Sequence, residues 1–245
     1  MSAQEKPFYC DRCQDIGLVQ TATGSRVCEC QQRRRDDIRL RRAGIPEAFD
    51  TATLENFWPE PHTRWALGRA RKFVEEFPGG IERGNGLMFT GSVGTGKTHL
   101  AVGMVRALVI AKGIEARFLT VPELLDRLRS SYAGEDAHET QARIFGDILA
   151  AELVVIDELA AARSTEWVLE TIELLIGSLY NNRRSMIVTT NFPNLGPGSG
   201  QVQNEYARAS RQETLGDRIG ARMFSRLQQR CATVEINGPD WRSKK

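Results

Sequence analysis

The run Gly91-Ser92-Val93-Gly94-Thr95-Gly96-Lys97-Thr98 follows the apolar stretch Gly86-Leu87-Met88-Phe89-Thr90 without a break. Glycine, four residues, glycine, lysine and a hydroxyl residue is the spacing of a phosphate-binding P-loop. It works only where a strand delivers the loop and a helix opens at its far end. The chain is therefore constrained towards an α/β sheet. The glycines let successive N–H groups turn into one concavity. Lys97 is expected to reach the outer phosphates, and the Thr98 hydroxyl to ligate magnesium. The helix opening at Thr98 adds its positive dipole end. A nucleoside triphosphate is the expected ligand.

Downstream, short apolar runs alternate with amphipathic ones. Strands are expected at 87–90, 115–120, 153–156, 185–190 and 233–236, and helices at 98–112, from Pro122, at 167–180 and at 214–229. Gly113 is placed to stop the first of these helices. Leu153-Val154-Val155-Ile156 is continuous rather than alternating, which suits a strand buried on both faces. The pattern predicts a parallel sheet flanked by helices. Residues 194–212, rich in Gly, Gln, Asn and Ser, read as an exposed loop, and 130–146 as a short polar helix with loops. Upstream, 63–77 has helical spacing, and 43–62, with Pro46, Pro59 and Pro61, reads as a linker. The expected division is a 1–42 module, a 43–62 linker and a 63–245 nucleotide-binding domain.

Charged residues make up 26% of the 245 and the net charge is +2, so overall charge argues for no particular partner. Local charge says more: Arg33, Arg34, Arg35, Arg39, Arg41 and Arg42 form a basic stretch. No apolar run approaches membrane-spanning length and no signal-peptide core is present, so a cytoplasmic location is expected.

Leu153–Ile156 ends in Asp157-Glu158. A buried strand would deliver Asp157 beside the P-loop to hold magnesium through water, and Glu158 could polarise an attacking water. The next strand ends Thr189-Thr190-Asn191, and Asn191 is the candidate for orienting that water near the γ-phosphate. Arg218, Arg222 and Arg226, at i, i+4 and i+8, would share one helix face beside the stripe Leu215, Ile219, Met223 and Leu227. Such a face suits a subunit boundary, where an arginine reaches a neighbour's site.

This order of motifs resembles an AAA+ ATPase. Gly94-Thr95-Gly96-Lys97-Thr98-His99, Asp157-Glu158-Leu159, Thr189-Thr190-Asn191, Leu215 to Met223 and Asp240-Trp241-Arg242 together resemble the DnaC/IstB-like helicase loaders. Gly44-Ile45-Pro46 and Thr53 to Phe57 resemble that family's lead-in. The resemblance implies an ATPase that loads a hexameric replicative helicase onto single-stranded DNA, as a homo-oligomeric spiral or hexamer when ATP is bound. It implies that Arg222 is the trans-acting arginine finger, with Arg218 a second candidate. It also implies that Arg242 reads the nucleotide within its own subunit and that His99 belongs to the nucleotide-binding set. Ala160-Ala161, where the family often has glycine, and the polar insertion at 194–212 depart from the pattern. Two other readings remain open: a transposase helper ATPase acting on duplex DNA, and a nucleotide-switched binding protein with little turnover.

Cys10-Asp11-Arg12-Cys13 and Cys28-Glu29-Cys30 pair a C-x-x-C with a C-x-C. Four thiolates suit tetrahedral Zn²⁺, and so short a segment needs a metal to fold. A small zinc module is therefore expected ahead of the ATPase. Within the resembling family such modules contact the helicase; the adjacent arginines leave contact with DNA open. Isolated Cys231 is expected in the core.

Overall fold

The computed structural model describes residues 9–79, 86–131, 137–200 and 212–241. A two-stranded hairpin, β1 (Leu18–Thr21) and β2 (Gly24–Val27), leads into helix α1 (Glu29–Ala43). Gly44, in the left-handed region, caps α1 with its N–H on the Arg41 carbonyl. A single 3₁₀ turn at Glu47–Phe49 and irregular chain then reach α2 (Arg64–Glu76). The core follows as β3 (Gly86–Thr90), α3 (Lys97–Lys112), β4 (Ala116–Thr120), α4 (Val121–Ser131), α5 (Ala137–Ala150), β5 (Leu153–Asp157), α6 (Glu166–Asn181), β6 (Ser185–Thr189), α7 (Leu215–Ile219), α8 (Ala221–Arg230) and β7 (Cys231–Glu235).

The five strands β3 to β7 are all parallel and lie in the order β4-β5-β6-β3-β7. Every residue of β3, β5 and β6 is buried, because helices cover both faces of the sheet. One face packs against α1, α2 and α3 through Leu67, Phe73, Leu100, Met104 and Leu108. The other packs against α4 to α8 through Leu124, Leu128, Ile172, Leu175 and Met223. Burial of each such side chain contributes about 1.5–3 kcal/mol. Cys231 lies in the second cluster, and its burial pushes the thiol up to about 12. α1 is part of this body: it packs on edge strand β4 and on α3.

Two expectations change. The run 214–229 is not one helix. Gly220, at φ 82° and ψ 155°, leaves the helical region and separates α7 from α8. Arg218 therefore lies before the break and Arg222 and Arg226 after it, so the three do not share one face. The polar stretch after α4 also contains a longer helix than expected, α5, whose Asp147 accepts two hydrogen bonds from Arg117 of β4, at 2.6 and 2.8 Å. Residues 194–200 are irregular, as expected; the remainder of that loop to 211 lies outside the described residues. No helix among the described residues is long and apolar enough to cross a membrane.

Candidate nucleotide and metal sites

Strand order decides which residues meet. β6 lies between β3 and β5, with Phe89 opposite Thr189 and Ile156 opposite Val188. The three strands therefore end level, at the carboxyl edge where doubly wound sheets bind ligands. The Gly91–Gly96 loop leaves β3 there and feeds the first turn of α3. Gly94 and Gly96 have φ of 74° and 92°. Gly94 has a second reason to lack a side chain, because a Cβ would collide with the Asp240 carboxylate. Trp241 N–H donates to the Gly94 carbonyl at 3.1 Å, so the chain after β7 passes directly over the loop.

Lys97 is buried, and its Nζ donates to the carbonyls of Gly91 at 2.9 Å and Ser92 at 2.5 Å. Thr95 Oγ1 donates to the Ser92 carbonyl at 2.9 Å. Val93 is half exposed on the loop. Thr98 Oγ1, on the first turn of α3, donates to Asp157 Oδ1 at 3.1 Å and Oδ2 at 3.2 Å. A hydroxyl and a buried carboxylate converging beside a P-loop lysine form a hard oxygen donor set that fits Mg²⁺. Burial raises the Asp157 carboxyl above the usual range, while hydrogen bonds from Thr189 and Thr98 oppose that shift.

Glu158 follows with φ 56° and an exposed side chain, so the chain turns sharply after the buried acid. Thr189 holds this turn and was not identifiable as a site residue from the sequence. Its Oγ1 donates to Asp157 Oδ1 at 2.5 Å and accepts the Glu158 N–H at 3.0 Å. Its sequence signals are a hydroxyl residue where an apolar strand ends and its place in the Thr189-Thr190-Asn191 motif, in which Asn191 is the residue singled out. Asn191 lies two residues further on, exposed at the same edge.

The other expected residues lie as follows. His99 Nε2 is 2.9 Å from the Thr53 carbonyl and 3.0 Å from Asn56 Oδ1, and its ring meets Phe57 edge-on at 5.3 Å. Two acceptors imply the Nε2–H tautomer. His99 thus ties α3 to the lead-in segment. Arg218 donates to the Ala160 carbonyl at 2.9 and 3.2 Å, to the Ala162 carbonyl at 2.5 Å and to Glu213 at 3.2 Å, over the Phe192 ring. It is engaged within its own chain, on the turn after Glu158. Arg222 is exposed and pairs with Glu173 of α6 at 2.9 Å. Arg226 lies over the Tyr180 ring. Arg242 lies outside the described residues.

The four N-terminal sulfurs converge, all within 4.8 Å of one another. Cys10 and Cys28 are 3.9 Å apart, and Cys13 and Cys30 3.4 Å. A tetrahedron of Zn–S bonds near 2.3 Å sets sulfurs about 3.8 Å apart, so the cluster fits zinc. The scaffold is local. The Asp15 carboxylate accepts the N–H of Tyr9 and of Cys10, at 3.0 and 3.1 Å, and pairs with Arg34 at 2.7 Å. Cys28 N–H donates to the Gly17 carbonyl at 2.8 Å. Cys28 precedes α1 and Cys30 lies in its first turn, so the sulfur cluster is built onto the helix that packs against the sheet.

Comparison with known proteins gives the geometry a family. The model of the "IstB-like ATP binding protein" family matches residues 31–245. The chain belongs to that family. Replicative helicase loader DnaC of Escherichia coli strain K12 is 27% identical over 151 residues, covering 61% of this chain and 59% of DnaC. The chain thus spans less than two thirds of the length of this curated relative. An uncharacterized protein of Bacillus subtilis strain 168, YqaM, is 24% identical over 177 residues, covering 69% of this chain and 55% of YqaM. Among solved structures, the DnaC helicase loader superposes with a TM-score of 0.61 at 30% identity, covering 78% of this chain and 99% of that one. DnaI superposes at 0.58 with 20% identity, over 82% and 98%, a likeness of fold. The parallel sheet with helices on both faces is the AAA+ P-loop fold of this IstB-like family member.

Proposed function

We propose that this protein is an ATPase that loads a hexameric replicative helicase onto single-stranded DNA. The observation that carries the reading is the convergence of Lys97, Thr98, Asp157 and Glu158 at one sheet edge, in a chain of which the DnaC loader structure covers 78%. In this reading Lys97 turns from its loop carbonyls to the β- and γ-phosphates. Loop N–H groups from Gly91 to Thr98 bind phosphate oxygens. Thr98 and Asp157 hold Mg²⁺, which when bound neutralises charge on those oxygens. Glu158 takes the proton of the attacking water, and Asn191 orients that water. Arg222 leaves Glu173 to reach a neighbour's γ-phosphate in an ATP-bound spiral or hexamer, and Arg242 reads the nucleotide in its own subunit. Residues 1–42 hold zinc and bind the helicase, 43–62 link, and 63–245 bind and hydrolyse ATP, all in the cytoplasm.

The test is reconstitution. The purified chain, ATP and a replicative helicase are mixed with circular single-stranded DNA, and helicase bound to the circle is counted. Loading that needs ATP and fails with Lys97→Ala supports the reading. A protein that binds no helicase, or loads none, overturns it. Capture of a transposase on duplex DNA instead would favour the transposase-helper reading, which shares the same nucleotide chemistry.

A further inference from the structure

Thr189 touches both members of the acidic pair, although it belongs to neither the P-loop nor the acidic strand. We propose that Thr189 is a positioning residue: its hydroxyl orients the Asp157 carboxylate for the metal and fixes the Glu158 turn for the attacking water. This rests on the ATPase reading above.

A hydroxyl has one proton and can accept as well as donate. Here it accepts the Glu158 N–H at 3.0 Å, so its own proton is directed at Asp157 Oδ1, 2.5 Å away. Thr189 is 2% exposed, which leaves no ready access for water to replace either bond. The same residue's carbonyl accepts the Leu159 N–H at 2.8 Å, and Thr190 Oγ1 donates to the Leu159 carbonyl at 2.8 Å. The end of β6 thus grips three successive residues of the turn. That grip matters because Glu158 sits at φ 56°, a conformation that persists in a non-glycine residue only where its surroundings over-determine it. Thr189 engages Asp157 Oδ1 alone, while Thr98 reaches both oxygens.

Thr189→Val keeps the β-branched shape but removes the hydroxyl, and Thr189→Ser keeps the hydroxyl. Three quantities decide: turnover, nucleotide affinity in EDTA, and the Mg²⁺ concentration that half-saturates nucleotide binding, each read with a fluorescent ATP analogue or ATP on the full chain. For valine we expect kcat to fall about 10- to 100-fold, the scale of a lost hydrogen bond to a charged group. The Mg²⁺ half-point should rise, EDTA affinity should stay near wild type, the melting temperature should fall by a few degrees for the two lost buried hydrogen bonds, and serine should restore all three altered readouts. Wild-type turnover and an unchanged Mg²⁺ half-point in the valine variant overturn the proposal. So does a loss of EDTA affinity and melting temperature that serine fails to restore, which would mean a purely structural strand end. A wild type without turnover would defeat the ATPase reading, and the Mg²⁺ half-point alone would then decide whether Thr189 positions Asp157.

Discussion

Thr98 Oγ1 donates to Asp157 Oδ1 at 3.1 Å across 59 residues of chain. That contact joins the first turn of the P-loop helix to the end of a strand that is not its neighbour in the sheet. It gathers Lys97, Thr98, Asp157 and Glu158 at the carboxyl edge of the sheet.

Lys97→Ala should abolish ATP binding. Lys97 is buried, its ammonium is held by two loop carbonyls, and in the proposed function it turns from them to the phosphates. Equilibrium binding measures this, and retained tight binding would remove the P-loop assignment.

Glu158→Gln should keep nucleotide affinity and lose turnover by about 10²- to 10⁴-fold, the contribution of a positioned general base. The exposed side chain tolerates the change sterically. Equal wild-type and variant turnover would assign the water's proton to another group.

Arg222→Ala should bind ATP normally and lose about 10³-fold in the turnover of assembled protein, the lower end of what an arginine finger supplies. Its pairing with Glu173 is exposed, so stability should change by less than about 1 kcal/mol. Unchanged turnover in assemblies would leave Arg222 as an ordinary surface ion pair.

Cys10→Ser should remove the bound metal and loosen the hairpin. The end of α1 at Leu40 and Ala43, which joins the core cluster, should stay in place. Metal analysis of the wild type and proteolysis of the variant check this. A wild type without zinc ends the assignment.

Acid should weaken the joint between β4 and α5. Hydrogen bonding and charge from Arg117 hold the Asp147 carboxyl below its usual range. An acid whose folded value is depressed contributes stability above its unfolded value and loses it as pH falls through the folded one. Asp147 is largely exposed, so Asp147→Asn should cost at most about 1 kcal/mol near neutrality. The difference from wild type should vanish in strong acid. Melting temperatures across pH measure it, and a gap that persists in acid would assign the loss to packing.

The features readable from the sequence are those set by neighbours along the chain. The P-loop spacing, the continuous apolar run before Asp157-Glu158 and the paired cysteines each need only local geometry, and each recurs in the structure as a loop, a buried strand and a sulfur cluster. Gly220 was present in the sequence, yet helical periodicity on either side concealed the break that its φ of 82° produces.

By itself the sequence determined that a strand, a glycine loop and a helix would form around Lys97 and Thr98, and that two acids would end a later strand. Only the tertiary structure decided their meeting. The order β4-β5-β6-β3-β7 inserts β6 between the other two strands, so the residue that touches both acids is Thr189, at the end of the intervening strand. Strand order and register come from how buried faces pack across the whole sheet, which spacing along one chain does not encode.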